Sequence, residues 1–217
     1  FEWYTDDELR ELGDTIIGWQ TEAGDFPFDP EGRHQAFHLK ACEALRPLGQ
    51  PGDTCLNLCI TASMLLLLIG DCVEDRKYLD AARKTLDFAM PLNRPEGGDW
   101  WETPLHAPNL MTSGYTAMAY EVGYRLLGAE KYRERSRRAI RWIIPFTTLW
   151  ENPYLRMRYQ PKPLFGSTSW YLMDWSTRHI LWHILMIFDL SDQLGIDWIE
   201  VDPEVDWTTF RRGVAVA

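Results

Sequence analysis

The stretch from Gly97 to Tyr115, GGDWWETPLHAPNLMTSGY, gathers an Asp, a Glu, a His, an Asn and two adjacent tryptophans in one Gly/Pro-rich segment. Asp99, Glu102 and His106 are groups that can move protons once their surroundings tune them. Trp100 and Trp101 offer flat faces for stacking on a ring, and Asn109 and Tyr115 add hydrogen-bonding groups. Asp99 and Glu102 are three residues apart, and an apolar wall of tryptophan favours the protonated form of one of them. Glycosidic hydrolysis needs such a pair: one carboxyl as acid, the other acting on water or on the anomeric carbon. Structural duties compete for the same residues. Asp99 suits a turn with Gly97-Gly98, Glu102 suits a cap on the next segment, and Asn109 after Pro108 suits a helix N-cap.

Two other polar segments supply partners. EAGDFPFDPEGRHQ, from Glu22 to Gln35, carries Asp25 as a carboxylate for the opposite side of the bond, and His34 as a binding residue. The segment from Thr147 to Thr168 carries Arg156, Arg158 and Tyr159. These residues also suit β-elimination of a uronate. His106 or Tyr115 would be the base, Asn109 would neutralise the carboxylate, and Arg156 or Arg158 would clamp it with a planar fork. Further on, Asp174–Arg178 and His179–His183 are i,i+4 pairs. Ile180 stands where a zinc-protease helix needs Glu, so interior hydrogen-bonded histidines and a buried ion pair are expected there. No metal or other cofactor is expected.

Bulk properties narrow the class. The chain has 217 residues, 46% of them hydrophobic and 25% charged, which fits a single soluble globular domain over 1–217. Eleven tryptophans exceed what a core alone needs and favour an aromatic-lined cleft. A formal charge of −10 argues against general nucleic-acid binding, which requires a basic face. The longest apolar run, Ile60 to Gly70, is too short to span a bilayer, so no membrane partner is expected. Cys42, Cys55, Cys59 and Cys72 include no CxxC pair and read as buried thiols. The chain begins at Phe1 without a Met, as expected of a processing site or a fragment boundary, and the compartment stays open.

The elements that must position these residues are helical. Thr5-Asp6-Asp7-Glu8 opens a helix with a capping box, continued by Leu9, Leu12, Ile16, Ile17 and Trp19. Asp6-Asp7 resembles the acidic pair of a metal-dependent prenyl-diphosphate site, but its place in a first helical turn favours complementation of the helix dipole. A short helix is expected from Gln35 to Leu45, and an apolar one from Thr54 to Cys72. An amphipathic helix follows from Asp75 to Met90, with Tyr78, Leu79, Ala82, Leu86 and Ala89 inward. An apolar helix from Pro108 to Leu127 ends at Gly128. The next, from Glu130 to Phe146, carries Arg133, Arg135, Arg137, Arg138 and Arg141, expected as a solvated outer face. Tyr120 and Glu121 read as structural, with Glu121 in need of a partner. A long apolar helix from Ser169 to Gly195 and a last one after Pro203 complete the chain. Strands are expected to be few. Apolar helices recur roughly every 55 to 60 residues, as in stacked helical hairpins whose apolar members form an inner layer.

This alternation, the Trp-rich loops before the apolar helices and phrases such as GDFPFDP and GGDWWETP resemble the six-hairpin (α/α) toroid superfamily of glycoside hydrolases and polysaccharide lyases. The resemblance implies an all-α, α/α toroid-like array of about three helical hairpins, with a cleft where the loops before the inner helices converge. It implies an enzyme cleaving glycosidic bonds of a poly- or oligosaccharide, with hydrolysis slightly favoured over β-elimination. Asp99, Glu102, His106 and Asp25 would be catalytic. Trp100, Trp101, Asn109, Tyr115, His34, Arg156, Arg158 and Tyr159 would bind substrate. Six hairpins would need on the order of 350 residues. Half a toroid, a fragment of a longer one, or an incomplete barrel completed by a homo-oligomer or by another chain is therefore expected. Two alternatives use the same architecture. One is a terpenoid cyclase or prenyl-transfer domain, which would want an aspartate-rich metal motif. The other is a non-catalytic module that binds a glycan or completes a partner's barrel.

Overall fold

Local signals set the first helix. In the computed structural model α1 runs Asp6–Trp19 with Thr5 as N-cap. The Glu8 amide donates to Thr5 Oγ1 at 3.3 Å, and the Thr5 amide donates to Glu8 Oε2 at 2.8 Å. This is the expected capping box. The structure describes residues 3–27, 54, 56–92, 97–100, 103–108, 110–144, 147–149, 155–157 and 175–216. Among them follow α2 (Leu56–Cys72), α3 (Arg76–Ala89), β1 (Gly97–Trp100), β2 (Thr103–Pro108), α4 (Leu110–Leu127), α5 (Glu130–Arg141), β3 (Thr147–Leu149), β4 (Leu155–Met157), α6 (Trp175–Gln193), α7 (Trp198–Val201) and α8 (Trp207–Val216).

The protein is predominantly helical, and its apolar helices form a row. Residues 73–75 and 128–129 turn the chain back on itself, so α2/α3 and α4/α5 are hairpins. The row is α2, α4, α6: α4 packs on α2 along one flank and on α6 along the other. The Thr112 hydroxyl, near the start of α4, donates to Asn57 Oδ1 near the start of α2. At the other end Arg125 donates to the Leu194 carbonyl, just beyond α6, at 3.1 Å. The three inner helices thus run parallel, with their N-termini at one end. Gly114 permits the approach of α4 to α6, since a Cβ there would lie 2.5 Å from the Ile187 side chain. Leu66, Leu67, Ile69, Met118, Tyr120 and Ile187 are fully buried between the helices. The amphipathic helices α1 and α3 pack outside α2, and α8 packs on α6.

Buried tyrosine hydroxyls tie the layers. Tyr120 of α4 donates to the Leu86 carbonyl of α3 at 2.8 Å, and Tyr132 of α5 donates to Asp87 at 2.7 Å. Tyr78 of α3 lies 2.9 Å from the Asp14 carboxylate of α1. Each buried phenol thereby has a partner in an adjacent helix, as burial of a polar tip requires.

The structure corrects three expectations. First, the arginines of α5 are not a solvated face. Arg133, Arg137 and Arg141 recur every four residues and grip the segment that follows α6. Arg133 reaches Glu200 at 3.2 Å, Arg137 donates to the Val201 carbonyl, and Arg141 makes two 2.6 Å bonds to Asp202. Arg135 is buried with its guanidinium 5.7 Å from the Tyr120 ring, and Arg138 alone of the five is exposed. Charge on one helical face reads as solvation until an acidic segment far along the chain is known to cover it. Second, Cys72 is exposed at the end of α2, whereas Cys59 is buried; Cys42 and Cys55 lie outside the described residues. Third, part of the Gly97–Tyr115 loop is a β-hairpin, and α4 starts at Leu110. Pro104 and Pro108 fix their own φ and push Thr103 and Ala107 to extended backbone, which suits a strand. The expected helix from Gln35 to Leu45 lies outside the described residues.

Glu121 finds its partners. Its carboxylate, 1% exposed, lies 3.4 Å from Arg125 and 3.8 Å from Arg133. Oε2 is buried and makes no hydrogen bond among the described residues. Burial pushes this carboxyl above the usual range, opposed by Arg133 and Arg125.

Two outcomes follow for stability. Asp202 is 1% exposed, so Arg141→Met strands a buried carboxylate. It should cost roughly 2–4 kcal/mol in urea unfolding, while Arg138→Met should stay within about 0.5 kcal/mol. Equal costs would mean that the Arg141–Asp202 contact contributes nothing. For Glu121 the folded pKa exceeds the unfolded one, so the folded chain takes up the proton first as pH falls. Its contribution to stability therefore rises on acidification through the raised pKa and levels off below the ordinary Glu value. The Tm difference between wild type and Glu121→Gln should move in favour of wild type as pH falls through that window. A difference that stays constant with pH would contradict the assignment.

Candidate functional site

The turn between α1 and α2 is held from several sides. The Gly24 and Asp25 amides donate to the Thr21 carbonyl and hydroxyl at 3.0 and 3.1 Å, and the Thr21 amide donates to the Asp25 carbonyl at 3.0 Å. Gln20 Nε2 donates to the Ala81 carbonyl and to Thr85, and Lys84 Nζ donates to the Thr21 carbonyl, which fastens the turn to α3. Gly24 has φ +97°, and a Cβ there would lie 2.7 Å from the Lys84 carbonyl oxygen. Only glycine meets both demands without strain. Pro27 then pairs with Thr54 in an antiparallel bridge, bringing the turn to the approach of α2.

This scaffold presents Asp25. Thr54 Oγ1 donates to its Oδ2 at 3.0 Å, and the Cys59 thiol donates to its Oδ1 at 3.3 Å. The residue is half-buried, and among the described residues no lysine, arginine or histidine pairs with it. The next two residues, Phe26 and Pro27, line a cleft of about 440 Å³ with Ile16, Trp19, Leu58 and Leu65. Trp19 is 67% exposed and forms a free aromatic wall. A cleft of this size, apolar but beside a carboxylate, has the make-up of a small-ligand site.

Beside it the first turns of α2 and α4 form a polar seam. Thr112, Ser113 and Thr116 are buried in an otherwise apolar helix, and Thr112 is bonded to Asn57. Thr116 Oγ1 makes no hydrogen bond among the described residues. Tyr115 is half-buried, and burial pushes its phenol above the usual range, so it stays protonated as a donor at neutral pH.

The hairpin β1–β2 packs on both α2 and α4. Its register pairs Gly97 with Pro108, Gly98 with Ala107 and Trp100 with Thr103, with a bulge between Gly98 and Trp100. Asp99 stands at that bulge, opposite the stretch that holds His106. Bulges re-aim side chains and recur beside active sites. Asp99, Trp100 and His106 are thus brought to one hairpin on the helix row. Arg156, paired with Thr148, rides on β3–β4; β4 lies against α6, one inner helix further along. Trp101, Glu102, Asn109, His34, Arg158 and Tyr159 lie outside the described residues. On α6, His183 is half-buried with its ring 5.1 Å from that of Trp182.

Sequence reasoning singled out Asp25 but missed its surroundings. Trp19 looked like the last member of an apolar stripe; its place at the helix end, just before a turn-rich segment, was the available signal. Thr112, Ser113 and Thr116 were visible as hydroxyls in an apolar helix. Cys59 carried no signal beyond its apolar neighbours.

Comparison with family models, with curated proteins and with solved structures finds no match to this chain. Among the described residues no helix is long and apolar enough to cross a membrane.

If the turn is the rigid support of Asp25, Gly24→Ala should destabilise the fold by about 2 kcal/mol. Thermal unfolding would measure it, and a loss below about 0.5 kcal/mol would mean that the turn adapts freely.

Proposed function

We propose that the protein is a carbohydrate-active enzyme that cleaves glycosidic bonds of a poly- or oligosaccharide, by hydrolysis in preference to β-elimination. In this reading the row of hairpins is part of an α/α toroid, and its substrate lies across the end where the inner helices begin. One observation carries it. A half-buried carboxylate without a cation partner among the described residues, Asp25, sits on a braced turn beside a Trp-walled cleft. The hairpin bearing Asp99, Trp100 and His106 packs on the same inner helix, α2.

Roles follow from chemistry. Asp25 acts on water or on the anomeric carbon, the role that one carboxyl of the pair must take in glycosidic hydrolysis. Asp99 or Glu102, which flank Trp100 and Trp101 in the sequence, gives the proton to the leaving oxygen. Trp19 and Trp100 stack on sugar rings through their C–H faces. Tyr115, its phenol pushed up by burial, serves as a hydrogen-bond donor to the substrate.

The test is to assay Asp25→Asn, Asp99→Asn, Glu102→Gln and His106→Gln against neutral and uronate-containing glycans. New reducing ends report cleavage, and the ultraviolet absorbance of an unsaturated uronate reports elimination. Asp25→Asn and at least one of Asp99→Asn and Glu102→Gln should lose about 10²-fold or more in kcat/KM with unchanged circular dichroism. Full activity in all four variants, or no cleavage of any glycan by wild type, rejects the reading. Unsaturated product would replace hydrolysis with elimination.

A further inference from the structure

Why Asp25 is held by one hydroxyl and one thiol is not explained by the need to fold the turn. The turn is already closed by its own backbone, tied to α3 by Gln20 and Lys84, and bridged to Thr54 through Pro27. The two side-chain donors act instead on the carboxylate. Each oxygen receives one: Oδ2 from Thr54 and Oδ1 from Cys59. An ionised carboxylate has about four acceptor sites, so with the donors among the described residues about one on each oxygen is left for a water or a sugar hydroxyl.

Both donors are neutral. They orient the group without placing a charge beside it. Cys59 is fully buried on the second turn of α2, and Thr54 is fixed by the bridge to Pro27. The carboxylate is therefore gripped at two points by the inner-helix layer, while its own backbone belongs to the turn. Such a grip removes rotation about the Cβ–carboxyl bond and leaves the charge intact. Misplacement of a reacting group by about 1 Å can cost on the order of 10²-fold in rate, so fixing this torsion has kinetic consequence.

We propose that Thr54 and Cys59 are positioning residues that hold the Asp25 carboxylate in one orientation toward the substrate. This rests on the reading of Asp25 as a reacting group in glycan cleavage. Neither residue touches substrate. Their hydrogen bonds act through Asp25.

The test compares Thr54→Val and Cys59→Ala, which remove a donor, with Thr54→Ser and Cys59→Ser, which keep one. Asp25→Asn is the reference. The donor-removing variants should lower kcat roughly 10-fold or more with KM within about twofold, and the serine variants should stay within about threefold of wild type. A purely structural role would instead lower Tm and activity together in serine and non-serine variants alike, and that result overturns the proposal. The carboxyl carbon-13 resonance of Asp25, assigned through Asp25→Asn, gives a readout independent of any substrate. It should move in Thr54→Val and Cys59→Ala and hold in the serine variants. If wild type cleaves no glycan while the resonance behaves this way, the glycan reading falls and the positioning stands. If the resonance is unchanged in the donor-removing variants, the positioning falls whatever the activity.

Discussion

The approach of α4 to its two neighbours is the constraint on which the rest depends. An inner helix packed along both flanks must be apolar nearly all round and must present small residues where backbones crowd. Gly114 does this against Ile187, and the Thr112–Asn57 bond sets the axial position of α4 against α2. Parallel inner helices then follow from the short returns at 73–75 and 128–129. The N-termini of α2, α4 and α6 lie at one end. Asp25 enters beside the start of α2, and β1–β2 lies over α2 and α4.

Among the described residues several buried polar groups find partners on a neighbouring element. The tyrosine hydroxyls each bond to an adjacent helix, Glu121 is met by α4 and α5, and Asp202 is met by Arg141. Asp25 differs from these. Its donors are neutral and leave acceptor capacity open, whereas Asp202 is fully engaged by a guanidinium. The same residue type is thus a buried, charge-paired fastener at one place and a half-buried carboxylate held by neutral donors at another.

The helices were legible because their signals are local. Thr5 and Glu8 announce a capping box, and the stripe of Tyr78, Ala82 and Leu86 announces the face of α3 that turns inward. The apolar character of α2, α4 and α6 gave the layer to which each belongs. The hairpin β1–β2 was not legible, because GGDW and TPLHAP alternate too briefly to separate a strand from a loop. Arg133, Arg137 and Arg141 were misjudged because Glu200, Val201 and Asp202 lie more than sixty positions away. For the site, Asp25 was within reach of residue chemistry alone. Its holders were not: a Cys in an apolar helix and a Thr before it acquire meaning only when the turn folds back on them.

The arginine ladder also bears on the order of folding. The pairs α2/α3 and α4/α5 join segments adjacent along the chain, so they close with little loss of chain entropy. The contacts of Arg133, Arg137 and Arg141 with residues 200–202 span separations of 67, 64 and 61 positions. Contacts of that range form after the local hairpins, because the intervening chain must be ordered before they reward it. The ladder is then a late fastening. It also gives the C-terminal helices a route to detach as a unit, leaving the first two hairpins paired.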